Sequence, residues 1–197
     1  MKTYYDLRAA EYDGGSYQLA DPTELAMLIK VIAELPARYT VDVACGTGWL
    51  SRFLRGSLVG LDQSARMLAH YRQRSPHAPA VRADVPPLPF TDDAFERCFT
   101  AHFVSHLQTG DRLAFLAEAK RVAAELVIVE QQQPAGHPGE AWERRELENG
   151  GVYRVYKRYR TGRELAEEIG GDVLHDSRDF LVVRWSRSPQ SARRAVG

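Results

Sequence analysis

VDVACGTGWLSRFLRGSLVGLDQS, residues 41–64, decides how this chain folds. Val41, Val43 and Ala44 make a short apolar run interrupted only by Asp42, the pattern of a buried strand. Cys45-Gly46-Thr47-Gly48 reads as a tight turn whose two glycines lack a Cβ, so that a ligand can approach the backbone. Trp49 to Arg55 has helical composition, and its first amides would point at whatever sits on the turn. Ser57 to Leu61 is the next strand, and Asp62 follows it. Strand, turn, helix, strand and acid in that order form the nucleotide-binding half of an open α/β sheet, which places ligands at the carboxyl ends of its strands.

Two kinds of cofactor site use that geometry. The dinucleotide fingerprint is G-x-G-x-x-G with an acid about 20 residues further on. Here Ser51 stands where the third glycine belongs, and Asp62 follows Gly46 too closely. The stretch instead resembles motif I of the class I S-adenosylmethionine-dependent methyltransferases (small-molecule, type 11-like), usually apolar-D-apolar-G-C-G-T-G. The resemblance implies a Rossmann-like, doubly wound α/β fold: a seven-stranded sheet with an antiparallel last strand. It also implies S-adenosyl-L-methionine as cofactor. Asp42 would be the motif's acid; Ala44 replaces its first glycine, and Cys45, Gly46 and Gly48 complete the turn around the methionine portion. Asp62, with Gln63 beside it, would grip the ribose, since a carboxylate accepts from two vicinal hydroxyls at once. Asp84 would accept from the adenine amino group, with Val85 facing the ring. Leu88-Pro89-Phe90 and Phe95-Glu96 match elements that follow in the family's order.

Working outward, Asp21-Pro22-Thr23-Glu24 opens a helix to about Leu35, and Tyr39–Ala44 is the first strand. Ser64 caps a helix to about Gln73; Ala80–Ala83 and Ala94–Thr100 are the third and fourth strands. Asp111–Val122 reads as helix and Glu125–Glu130 as a buried fifth strand. Glu140–Glu148 reads as a short helix ended by Asn149-Gly150-Gly151, and Val152–Arg160 as an extended strand. Thr161-Gly162-Arg163-Glu164 is a capping box opening a helix to Ile169. Val173–Ser177 and Phe180–Trp185 form a terminal antiparallel hairpin. One domain over 1–186 is expected, with a helical lid at 1–35, an acceptor-pocket cover at 131–160 and a disordered tail at 187–197.

The N-terminal Tyr5-Asp6…Ala9…Tyr12-Asp13 resembles a small-molecule methyltransferase element that closes over the cofactor. That resemblance makes Tyr12 a cofactor and candidate catalytic residue and Tyr5 a substrate residue, although a frayed amphipathic helix reads the same way. His102 and His106 lie four apart. Position 103 is Phe103 and no third ligand is visible, which argues against a metal. His102 is the candidate general base and His106 a pocket residue, against the plainer reading of packing histidines.

VYRVYKRYRTGR, residues 152–163, interleaves bases and aromatics. It could bind nucleic acid, grip an anionic substrate or form a charged edge strand. Its place after strand five suggests Tyr153, Tyr156 and Arg158 for the acceptor pocket.

With 26 basic and 26 acidic residues, there is no global pull toward nucleic acid or membrane. No apolar run approaches the roughly 18 residues of a membrane span, and the N-terminus shows no signal-peptide pattern. Two cysteines in strand or turn segments suit a reducing, cytoplasmic setting. The reading is a methyltransferase acting on O, N or C of a small-molecule acceptor, as monomer or homodimer. The alternative is an S-adenosylmethionine-binding protein with a non-methylating or accessory role.

Overall fold

The apolar runs of the sequence become the strands of one mixed sheet. The computed structural model describes residues 2–13, 17 and 20–188. Its helices are α1 (Lys2–Arg8), α2 (Pro22–Glu34), α3 (Ala65–Arg74), α4 (Thr109–Val122) and α5 (Gly162–Ile169). The strands are β1 (Thr40–Val43), β2 (Leu58–Asp62), β3 (Ala80–Arg82), β4 (Phe95–Ala101), β5 (Ala123–Gln131), β6 (Glu140–Glu146), β7 (Val152–Arg158), β8 (Asp172–Asp176) and β9 (Phe180–Ser186). Seven of them form a sheet of order β3-β2-β1-β4-β5-β9-β8, and β6 and β7 form a separate hairpin. β9 runs antiparallel to β5, and the other central pairings are parallel.

The period-two alternation of the strands divides the core between the two faces. Leu126 and Ile128 of β5 join the cluster under α4 and α5, where Phe115, Ala119, Leu165 and Ile169 are buried. Val127 and Val129 join the opposite cluster, under Leu28 and Ile32 of α2. The helix signals hold in detail. Asp21 accepts from the amides of Thr23 and Glu24, Ser64 accepts from Met67, and Thr161 and Glu164 close a complete capping box.

Four expectations change. Trp49–Arg55 is no helix: only a three-residue 3-10 turn, Ser51–Phe53, forms. Seven residues between Gly48 and Gly56 are too few to repay helix nucleation without support. Tertiary contacts also claim them. Trp49 stacks on Tyr17 at 4.0 Å, Leu50 and Leu54 are buried, and the Ser51 hydroxyl donates to Asp42.

Glu140–Glu146 is strand β6, paired in register with β7 from Glu140↔Arg158 to Glu146↔Val152. Cross-strand pairing overrides the helical preference of its glutamates and alanine. Of the expected 1–35 lid, only the first part reaches the site; α2 is a core helix. Finally, Arg187 is anchored rather than loose, its amide donating to Ala124 O and its guanidinium to Asp93 and Lys120 O. The rest of the expected tail, 189–197, lies outside the described residues.

Candidate active site

The carboxyl ends of β1, β2 and β4 open onto a cavity of about 280 Å³. Asp62 closes β2 and lines it, 8% exposed. Its Oδ2 accepts from the Gly46 amide at 2.9 Å and its Oδ1 from the Ser64 amide at 2.8 Å. Each oxygen keeps a lone pair for an incoming hydroxyl. Burial nonetheless raises its pKa, the two amides working against that shift. Gln63, Asp84 and Val85 line the same cavity, with Asp84 exposed at its rim. Leu61, Met67 and Leu107 add apolar wall.

The turn after β1 divides its residues between cavity wall and scaffold. Ala44 and Gly46 line the cavity, and Ala44 takes φ 57°, the left-handed region that glycine favours. A methyl at the family's glycine position is therefore accommodated by backbone strain. Above Gly46 there is room: an added Cβ would meet only the Tyr12 ring, at 3.8 Å. Gly48 lies outside the cavity and answers to packing, since a Cβ there would stand 2.7 Å from the fully buried Tyr71 ring. Asp42 and Cys45 are also behind the wall. The Asp42 carboxylate accepts from Ser51, and burial pushes its pKa up to about 7. Cys45 packs with Leu68 and Tyr71, and burial drives its thiol well above the usual range, which disfavours the thiolate a nucleophile needs.

The repeated Tyr-Asp pairs of the N-terminus have split duties. Tyr5 and Tyr12 line the cavity. The aspartates beside them tie the segment to the nucleotide end of the sheet. Asp6 accepts from the Ser64 hydroxyl at 2.5 Å, and that bond holds its carboxyl below the usual range. Asp13 accepts from Thr47 Oγ1 at 2.6 Å and pairs with Arg74 at 2.8 Å. Sequence reading named the tyrosines and missed the two latches, although the paired Tyr-Asp spacing was in view.

Opposite, the end of β4 presents both histidines. His102 sits at φ 55° and lines the cavity, and neither ring nitrogen has a partner among the described residues. Burial lowers its pKa to about 4, so the ring is neutral and a weak base. His106 Nδ1 lies 2.7 Å from the Tyr156 carbonyl, which only accepts; the proton is therefore on Nδ1. Burial drops its pKa to about 3.

The β6–β7 hairpin caps the site with alternate faces. Trp142 and Tyr156, cross-strand partners, line the cavity, whereas Tyr153 packs on Tyr4 at 5.3 Å and Arg158 pairs with Glu140 at 3.5 Å. Tyr153 and Arg158 thus do not line the cavity. Of the other bases of this stretch, Arg160 pairs with Glu168 and Arg163 with Glu167, while the Arg154 guanidinium lies over the Trp142 ring at 5.8 Å. Trp142 went unrecognised because its segment was read as helix.

Sheet order and antiparallel β9 define the class I methyltransferase fold, with this cavity at its usual ligand end. Solved structures agree. The DhpI–SAH complex superposes with a TM-score of 0.74 at 24% identity, over 95% of each chain. The PH0226 protein of Pyrococcus horikoshii OT3 gives 0.66 at 16% identity, over 90% of this chain and 99% of that one. Residues 41–126 match the family model of the methyltransferase domain.

Among curated proteins, the trans-aconitate 2-methyltransferase of Acidovorax sp. (strain JS42) is 36% identical over 83 residues, 38% of this chain and 32% of that protein. The 2-phytyl-1,4-naphtoquinone methyltransferase of Thermosynechococcus vestitus (strain NIES-2133 / IAM M-273 / BP-1) is 41% identical over 73 residues, 32% of each chain. The matches thus span about a third of the length of these curated relatives. No described helix is long and apolar enough to cross a membrane.

Proposed function

We propose that this protein transfers the methyl group of S-adenosyl-L-methionine to a small-molecule acceptor. The observation that carries the reading is Asp62: a buried carboxylate pinned by two backbone amides, with free lone pairs turned to a cavity. That arrangement suits a ribose diol. Asp84 and Val85 at one end suit an adenine, and the open backbone at Ala44 and Gly46 suits the methionine chain under Tyr12. When bound, the cofactor supplies an electrophilic methyl on sulfonium. The protein's own work is alignment and exclusion of water, which can supply much of the acceleration. Tyr5, Tyr12, His102, His106, Trp142 and Tyr156 surround the space left for the acceptor. With its ring neutral, His102 acts better as a hydrogen-bonding group than as a base. Curated relatives that methylate small acids and quinones support a small acceptor. The two free, buried cysteines are in keeping with a cytoplasmic enzyme, acting as a monomer or homodimer.

Calorimetric titration with S-adenosylmethionine and S-adenosylhomocysteine tests the reading. Saturable binding is expected for both, with at least a hundredfold loss in Asp62→Ala, whose fold is checked by circular dichroism. Well-folded wild-type protein that binds neither ligand would end the proposal.

A further inference from the structure

A second, smaller chamber of about 90 Å³ adjoins the main cavity and shares Tyr5, Tyr12, His102 and His106 with it. Its character is different. Arg8, Arg145 and Lys157 line it, and among the described residues no carboxylate does. Two of these cations are balanced from behind the wall. Lys157, 2% exposed, lies 3.6 Å from Glu130 and donates to Ser105 at 2.8 Å, and Arg145 pairs with Glu143. Arg8 has no acid among the described residues. Its Nη1 donates to the Tyr4 hydroxyl at 3.0 Å, and its guanidinium lies over the Tyr4 and Tyr12 rings at 5.7 and 5.0 Å. Three cations against two carboxylates leave one positive charge in a half-buried chamber. His102, buried with both ring nitrogens unpartnered, faces the same space. An unpaired buried N–H is costly unless a ligand or water meets it.

Building on the methyltransferase reading, we propose that the acceptor is a small organic oxyanion, a carboxylate or a phosphonate. Its anionic head enters this chamber against Arg8 and the His102 ring and is methylated on oxygen. A guanidinium is the side chain best shaped for either head group. The chemistry balances without a base. One acceptor oxygen forms a bond to the methyl carbon as the carbon–sulfur bond breaks, and that electron pair stays on sulfur. The acceptor loses one negative charge as its oxygen becomes an ester, the sulfonium becomes a neutral thioether, and no proton moves. This agrees with two imidazoles that burial keeps neutral and weakly basic.

The test uses the full chain in three arms. Calorimetry without methyl donor measures binding of trans-aconitate and of methylphosphonate, and separately of S-adenosylhomocysteine. Mass spectrometry with S-adenosylmethionine follows methylation of the two acids beside catechol and benzyl alcohol, and shows whether carboxylate or phosphonate is preferred. Arg8→Gln and Arg145→Gln are compared with wild type, because replacing buried Lys157 risks the fold. Expected are saturable binding of at least one acid, its methylation on oxygen, and at least a tenfold loss of acid affinity in Arg8→Gln with S-adenosylhomocysteine affinity unchanged. Binding of S-adenosylhomocysteine with no acid bound, or methylation of the neutral alcohols alone, would overturn the oxyanion proposal and leave the transferase reading standing. Failure to bind S-adenosylhomocysteine would overturn both.

Discussion

Ala44 and Gly48 sit in the same turn with φ of 57° and 74°, yet respond to opposite physics. A left-handed alanine costs roughly 1–2 kcal/mol, part of which the stiffer unfolded chain returns. Ala44→Gly is therefore expected to stabilise by about 0.5–1 kcal/mol. Gly48→Ala adds the same strain and drives a methyl to 2.7 Å from the Tyr71 ring. It is expected to destabilise by about 2–4 kcal/mol. Urea titration of the two variants reads both signs, and destabilisation by Ala44→Gly would refute the strain at that position. The motif residues were legible in the sequence because their spacing is local. Which glycine faces the cavity and which faces a tyrosine 23 residues away was not, because that depends on where α3 lies.

Among the elements, the N-terminal segment and the β6–β7 hairpin make the site's roof, and they meet each other. Tyr4 of α1 is buried with Leu147 and Val155. Asp6 and Asp13 fasten this roof to Ser64, Thr47 and Arg74. Exposed or half-exposed ion pairs contribute little to global stability. Asp13→Ala should therefore shift the unfolding free energy by less than about 1 kcal/mol, while amide exchange of α1 speeds up and S-adenosylhomocysteine affinity falls several-fold. Unchanged exchange in α1 would show that the latch does not hold the lid. The hairpin marks the limit of local reading. Its second strand was recognisable, and Asn149-Gly150-Gly151 was legible as a break in the chain, though as the end of a helix rather than a hairpin turn. Its first strand, rich in glutamate and arginine, becomes a strand only through its partner, and with it came Trp142 and Arg145. Neither had been singled out.

For the whole molecule, three buried groups set a pH dependence. His102 and His106 titrate near 4 and 3 in the folded chain, against 6.5 ordinarily. Between pH 6.5 and 4 the unfolded chain takes up those protons and the folded one does not. Stability is full above 6.5 and falls on acidification, by about 1.4 kcal/mol per pH unit for each fully titrating group. Asp42, raised to about 7, opposes this. The folded state keeps a proton that the unfolded chain releases above about 4, so its share of stability falls as pH rises toward 7. The net expectation is a fall in Tm from pH 6.5 to 4.5, made steeper by Asp42→Asn and shallower by His106→Asn. Thermal unfolding across that range decides it, and a flatter profile in Asp42→Asn would contradict the assignment of its raised pKa.

The sequence by itself determined the strands of the nucleotide half, the helix caps, the terminal hairpin and the carboxylate at the end of β2. Each rests on contacts between residues close in the chain or on the period of an apolar run. Only the tertiary structure decided that residues 49–55 are pinned as a turn, that 140–146 is a strand, and that Asp42, Cys45, Gly48, Tyr153 and Arg158 stand behind the walls of the site. It alone also brought Arg8, His102, Arg145 and Lys157 to one chamber. They come from four segments of the chain, and no local pattern encodes their meeting. Burial and charge at that meeting point are properties of the packed molecule.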